Sequence, residues 1–333
     1  MPAEWEAAEA FWISWPSHPD IWGNDLEGAR LEVANLIRAL AEVDVESGQL
    51  KGEKIHLIAD GADACASAHS LLDGLHIDVT DMAFGDIWIR DTGPVFVVHD
   101  DELRALGMRF NGWGKRYLLP SDEIVAERLA KAAQIPFERH FWTLEAGALQ
   151  WDGEGVFLAQ RSSLLDPQRN PGATELSAEQ KLKSVIGAEQ VIWLDAVLGG
   201  DAIFHRLGGA VRFLGPNHVL LMKAASSSDP NFELFEALHG RFKAECFDIS
   251  LIPSPGRVED VDGDVMAASY LHYVQSDRRV IVPVYGTAYD DLVLDAMKPL
   301  FKGREIIGLR SDHLLSGGGS FHHICLPQPK WPF

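Results

Sequence analysis

One local pattern recurs along this chain: two alternating or apolar runs with Asp, Gly, Pro or Asn between them. It appears in "PVFVVHDDELRALGMRF" (94–110), "GALQWDGEGVFLAQ" (147–160), "GAVRFLGPNHVLLMK" (209–223) and "SYLHYVQSDRRVIVPVYG" (269–286), and each copy reads as a β-hairpin. Successive copies lie roughly 50 to 65 residues apart, a spacing typical of modular ring or solenoid architectures. Helical periodicity fills the intervals, in "DLEGARLEVANLIRALAEV" (25–43), "DEIVAERLAKAAQ" (122–134), "FELFEALHGRF" and "DDLVLDAMKPLF". Ser121 and Asp122 are N-cap candidates for the second of these, and Asp290 and Asp291 start the last. Short apolar strands such as "KIHLIA" and "QVIWL" follow the helices. The unit is hairpin, helix, strand, and its copies imply a closed α/β ring rather than an open sheet. No Pro/Ser-rich linker divides residues 1–333, which read as a single domain.

Composition narrows the function classes. A net charge of -20 and a pI near 5.0 exclude a nucleic-acid surface, which clusters Lys and Arg. Such a balance serves solubility, and its field favours cationic partners. The N-terminus is acidic and no apolar run reaches the eighteen or so residues of a membrane span, so no membrane partner and a cytoplasmic location are expected. Three scattered cysteines, Cys65, Cys246 and Cys325, make neither a disulfide framework nor a four-ligand zinc site. Cys65 and Cys246 read as packing residues.

The segment "GGGSFHHICLPQP" (317–329) places three glycines before what reads as a polar strand, a sign of backbone passing close to a site. Other segments have simple structural readings. Arg90 and Asp91 in "DIWIRDTGP" can pair and cap a turn, Trp88 and Trp113 can be core aromatics, and "RFNGWGKRY" and "DPQRNPG" can be turns. His140, His218 and His272 have no partner visible in sequence and read as structural.

Seven blocks in order, "FWISWPSHPDIW", "DIWIRDTGPVFVV", "RFNGWGKRY", "LEAGALQWDGEG", "LLDPQRNPG", "VRFLGPNHVLL" and "SGGGSFHHICLPQP", resemble the signature blocks of the agmatine deiminase and bacterial peptidylarginine deiminase family. The resemblance implies a five-module α/β propeller with pseudo-five-fold symmetry and a central site. It implies hydrolysis of a guanidinium to a ureido group and ammonia, without metal or cofactor. Such chemistry needs carboxylates to clamp the planar cation, a thiolate to attack its carbon, and a His to protonate ammonia and activate water. Carried over, the clamping carboxylates fall on Asp91 and Glu145, with Trp88 and Arg90 beside them as substrate-binding candidates.

The remaining positions depart from the family pattern. Across "DAIFHRLGGAVRF" (201–213) the family His falls on Arg206 and its second clamping Asp on Gly208, while the nucleophile falls on His323. Cys325 stands two residues later. Three readings follow. In the first, Arg206 folds into the old pocket and satisfies Asp91 and Glu145 with its own guanidinium, leaving a pseudoenzyme. In the second, Arg206 and His323, with His322 or Arg90, receive an anionic or carboxyl-bearing ligand between Trp88 and Phe204; a variant makes His205, His323 and Cys325 a metal site. In the third, hydrolysis survives through displaced Cys325 and His205, although a two-residue shift moves a side chain about 6.6 Å along a strand. The expected partner is a small guanidine, amine or carboxyl-bearing molecule, and a homodimer is compatible with the sequence.

Overall fold

The protein is described from a computed structural model that covers residues 1–42, 51–75 and 77–332. The first strand, β1 (Ala8–Ser14), pairs in parallel with β2 (Ile55–Ala59), and β2 pairs in parallel with β3 (Asp78–Asp81). Then the sequence pattern repeats. β4 (Val95–His99) and β5 (Glu102–Arg109) form a hairpin, and β6 (Phe137–Thr143) lies parallel to β5. β7 (Leu149–Trp151), β8 (Val156–Gln160) and β9 (Gln190–Leu194) follow the same order. So do β10 (Val211–Gly215), β11 (His218–Lys223) and β12 (Asp248–Pro253), then β13 (Val274–Gln275), β14 (Arg279–Val284) and β15 (Glu305–Arg310). The last strand, β16 (Cys325–Pro329), pairs antiparallel with β1, so both chain ends build the fifth sheet and close the α/β propeller.

Local chemistry explains the unit. The β10–β11 turn holds Asn217 at a φ of 55°, a left-handed conformation that Asn tolerates. In the helix Phe232–Ala244, Phe235, Leu238 and Phe242 are buried, an i, i+3, i+7 stripe that the crossover lays on its sheet. The helix read over 25–43 runs from Leu26 to Ala41, and Val43 lies outside the described residues. The helix starting at Asp290 ends at Met297. Two local expectations differ. Ser121 stands at the N-cap of the 3-10 turn Asp122–Ile124 but makes no side-chain cap bond, and the buried Asp122 carboxylate accepts from the Gly85 N–H at 2.8 Å. Residues 321–324 form one helical turn before β16, so His323 and Cys325 do not share a strand face.

Candidate active site

Each module presents the segment just before its first strand to the centre. Asp91 lies in the turn Ile89–Thr92 before β4, and Glu145 precedes β7. Arg206 and Gly208 precede β10, His272 lies in the turn Tyr270–His272 before β13, and His322 and His323 lie in the turn before β16. This equivalence brings together side chains up to 232 residues apart.

Arg206 points inward, and its side chain is 3% exposed. Its Nε donates to Asp91 Oδ2 at 2.8 Å, its Nη2 stands 2.7 Å from the same oxygen, and its Nη1 donates to the Gly318 carbonyl at 2.8 Å. Aromatic rings enclose the cation: its central carbon lies 3.9 Å from the Phe204 ring centre, 4.8 Å from Trp88 and 6.0 Å from Trp113. A guanidinium over aromatic faces is attracted by their quadrupoles, more strongly where water is excluded. Asp91 also accepts from Trp113 Nε1 at 3.1 Å and from the Gly147 N–H at 3.3 Å. A Cβ on Gly147 would stand 2.4 Å from that carboxylate, so this donor requires glycine. The glycine run does bring backbone close to a site. Gly318 supplies the carbonyl, and Cβ atoms on Gly318 and Gly319 would meet the Phe204 and Trp88 rings at 2.4 and 2.3 Å.

Several expected partners are exchanged. Glu145 is held by Arg169, whose Nε lies 2.9 Å from Oε2, and by Ser163 Oγ at 3.2 Å, rather than by Arg206. Burial pushes the Glu145 carboxyl up and Asp91's charge adds to this, while Arg169 opposes both. "DPQRNPG" is thus more than a turn, because it delivers Arg169. Arg90 pairs neither with Asp91 nor with the aromatic cage. It binds Glu4 and donates to the His322 and Cys325 carbonyls. Arg212, buried like Arg90, joins the same half-buried Glu4. His140 and His218 have local partners, Glu138 at 3.1 Å and Ser250 Oγ at 2.9 Å.

His272 is not an isolated structural histidine. Its ring centre is 4.4 Å from that of His323, which lies 5.6 Å from His322. Burial and the surrounding arginines lower all three, His272 to about 3. His323 Nδ1 accepts from the Ser320 N–H at 3.2 Å, so the neutral ring carries its proton on Nε2. Its ring lies 6.4 Å from Trp88, beside the cage. At Gly208 an added Cβ would meet His322 and Gln150 atoms at 3.1 and 3.2 Å, so a larger side chain there would have to push one of them aside.

The two residues of the displaced pair have separate surroundings. Cys325 is buried in the apolar cluster around β1, and burial pushes its thiol up. His205 sits at a φ of 53° with Nδ1 3.4 Å from the Ser162 carbonyl. Among the described residues no three His, Cys, Asp or Glu side chains are arranged to hold a metal, which removes the His205, His323, Cys325 variant.

Outside the cage lies a cavity of about 500 Å³, lined by Trp22, Trp88, Trp113, Tyr117, Phe204 and the carboxylates of Asp20, Asp25 and Asp86, with no Lys or Arg among its lining residues. Arg206, which the anionic-ligand reading invokes, is paired with Asp91. Among the described residues no helix is long and apolar enough to cross a membrane.

Comparison with known proteins gives a consistent result. A C. jejuni agmatine deiminase, a cysteine-to-serine variant with substrate bound, superimposes with a TM-score of 0.89 at 25% identity, covering 99% of this chain and 96% of that one. The Enterococcus faecalis agmatine deiminase gives 0.87 at 24% identity, covering 99% and 95%, and supports the fold. A Legionella pneumophila (strain Paris) protein with a provisional agmatine deiminase name is 29% identical over 340 residues, covering 99% of this chain and 95% of its own. The profile of the Porphyromonas-type peptidyl-arginine deiminase family matches residues 1–329. With that match over a five-module propeller, the chain belongs to the Porphyromonas-type peptidyl-arginine deiminase family.

Proposed function

We propose that this chain is a member of its family that no longer hydrolyses guanidines, with Arg206 as a resident guanidinium in the place of a substrate. The observation that carries this reading is the seat of Arg206 against Asp91, between Phe204 and Trp88. A small guanidinium would have to displace a tethered copy of itself whose effective concentration is high.

The nucleophile requirement points the same way. Attack on a guanidinium carbon needs a polarisable thiolate or an activated equivalent. The lone pair of neutral His323 is engaged by the Ser320 N–H, and the buried Cys325 thiol is pushed up, away from the thiolate form. Protonation of departing ammonia needs a titratable acid near neutrality. Arg206, at the position of the family His, cannot supply it because its guanidinium stays charged.

The test is ammonia release from agmatine, free arginine and an arginine peptide, at protein concentrations high enough to detect a few turnovers per hour. No release above a boiled control is expected. Release abolished by Cys325→Ser would overturn the reading and favour the displaced catalytic pair.

A further inference from the structure

A separate cavity of about 330 Å³ lies at the C-terminal ends of β5 and β6 and shares no lining residue with the 500 Å³ cavity at the centre. Arg109 ends β5, Phe141 and Trp142 lie in the last turn of chain of β6, and Lys181 ends the helix Glu175–Lys181. On a chain of net charge -20, no Asp or Glu among the described residues lines this cavity, whereas Arg109, Arg169 and Lys181 do. Arg169 is committed to Glu145 and Asp166, at 2.9 Å each. Arg109 and Lys181 are exposed, and neither has a carboxylate partner among the described residues. Acidic groups on the same elements are engaged elsewhere: Glu138 by His140 at 3.1 Å, Glu175 by Arg161 at 2.7 Å and Glu179 by Trp193 Nε1 at 2.9 Å.

The cavity wall is fixed in advance. Asn170 accepts from the Thr143 N–H at 3.1 Å and donates to the Thr143 and Leu164 carbonyls at 2.9 and 3.1 Å, so a ligand need not order this loop. Lys181 Nζ stands 5.5 Å from the Trp142 ring centre, a contact that favours the ammonium at this wall. Phe141, also in the lining, is 83% exposed. The volume is at the lower end of the small-molecule range, about 300–1,000 Å³. A cationic ligand would meet two uncompensated like charges. An anion meets the forked donors of Arg109 and the point charge of Lys181, and an apolar body on that anion would cover Phe141. We propose that this cavity binds a small organic anion, a carboxylate or phosphate headgroup on an apolar body, with Arg109 and Lys181 taking the headgroup and Phe141 the body. Hydrolysis at the central site, present or absent, leaves this assignment unchanged.

The test is isothermal titration of the full chain with benzoate, phenyl phosphate, inorganic phosphate and benzylammonium at about 0.15 M salt, where exposed charges more than about 8 Å away are largely screened. Saturable binding of benzoate or phenyl phosphate is expected, the tighter of the two identifying the headgroup. Arg109→Gln should weaken it about tenfold or more, as for the loss of a charge-assisted pair, and Lys181→Gln several-fold. Both side chains are exposed and make no hydrogen bond among the described residues, so the variants should fold as the wild type does. Phe141→Ser should weaken binding of the organic anions while leaving that of inorganic phosphate unchanged. Absence of saturable binding of both organic anions, equal binding of benzylammonium or inorganic phosphate, unchanged affinity in both Arg109→Gln and Lys181→Gln, or wild-type affinity in Phe141→Ser would overturn the assignment.

Discussion

Arg206 and Asp91 are 115 residues apart in sequence, yet Arg206 Nε donates to Asp91 Oδ2 at 2.8 Å and Nη2 lies 2.7 Å from the same oxygen. Both side chains are almost completely buried, at 3% and 0% exposure. An ion pair so placed gives up hydration on both sides, so its weight lies in what happens when one partner is lost.

Arg206→Ala leaves Asp91 buried without its cation and opens a guanidinium-shaped space. Destabilisation of about 3–5 kcal/mol is expected. Methylguanidinium should raise the melting temperature of the variant, because it binds only the folded state, and leave the wild type unchanged. Thermal shift against methylguanidinium concentration checks both; equal shifts in the two proteins would contradict a preformed seat.

The pair should be strongly non-additive. Arg206→Met and Asp91→Asn each strand one charge, whereas the double variant strands none and keeps an acceptor for Trp113 Nε1 and the Gly147 N–H. The double variant should be more stable than the sum of the singles implies by about 0.5–3 kcal/mol. Urea unfolding of the four proteins measures the coupling.

Stability should have opposing pH limbs. His272 is lowered from 6.5 to about 3, so between these values the unfolded chain binds more protons and stability falls as pH drops below 6.5. His322 and His323 act in the same direction. Asp122 is raised from 3.8 to about 7, chiefly by burial. Between those values the folded chain binds more protons, and stability falls as pH rises. Each group contributes at most about 1.4 kcal/mol per pH unit. His272→Gln should flatten the acid limb and Asp122→Asn the rising one, read from urea midpoints between pH 4 and 8; unchanged slopes would refute the assignments.

Cysteine labelling should follow exposure. Cys246 is exposed, Cys65 half-buried and Cys325 buried with its thiol pushed up. Iodoacetamide at pH 8 should modify Cys246 first and reach Cys325 only after denaturation, since the thiolate is the reactive form. Peptide mass spectrometry resolves the three, and rapid native labelling of Cys325 would indicate an activated thiol.

The repeating unit is legible in short stretches of sequence. Period-two runs around Asn217 and similar turn residues, and the apolar stripe of Phe235, Leu238 and Phe242, are short-range signals that need no distant partner to be read. The glycines at 317–319 likewise announced a close approach of backbone. How the unit closes and which charges meet depend on contacts between segments far apart in the chain. Residues 325–329 join residues 8–14 only because the ring brings the chain ends together, with Trp12 Nε1 donating to Gln328 at 2.9 Å. Arg169 takes Glu145, Arg90 takes Glu4 and His272 enters the centre for the same reason. Those pairings join segments distant in sequence, where spacing carries no information and ring geometry sets which groups share the centre.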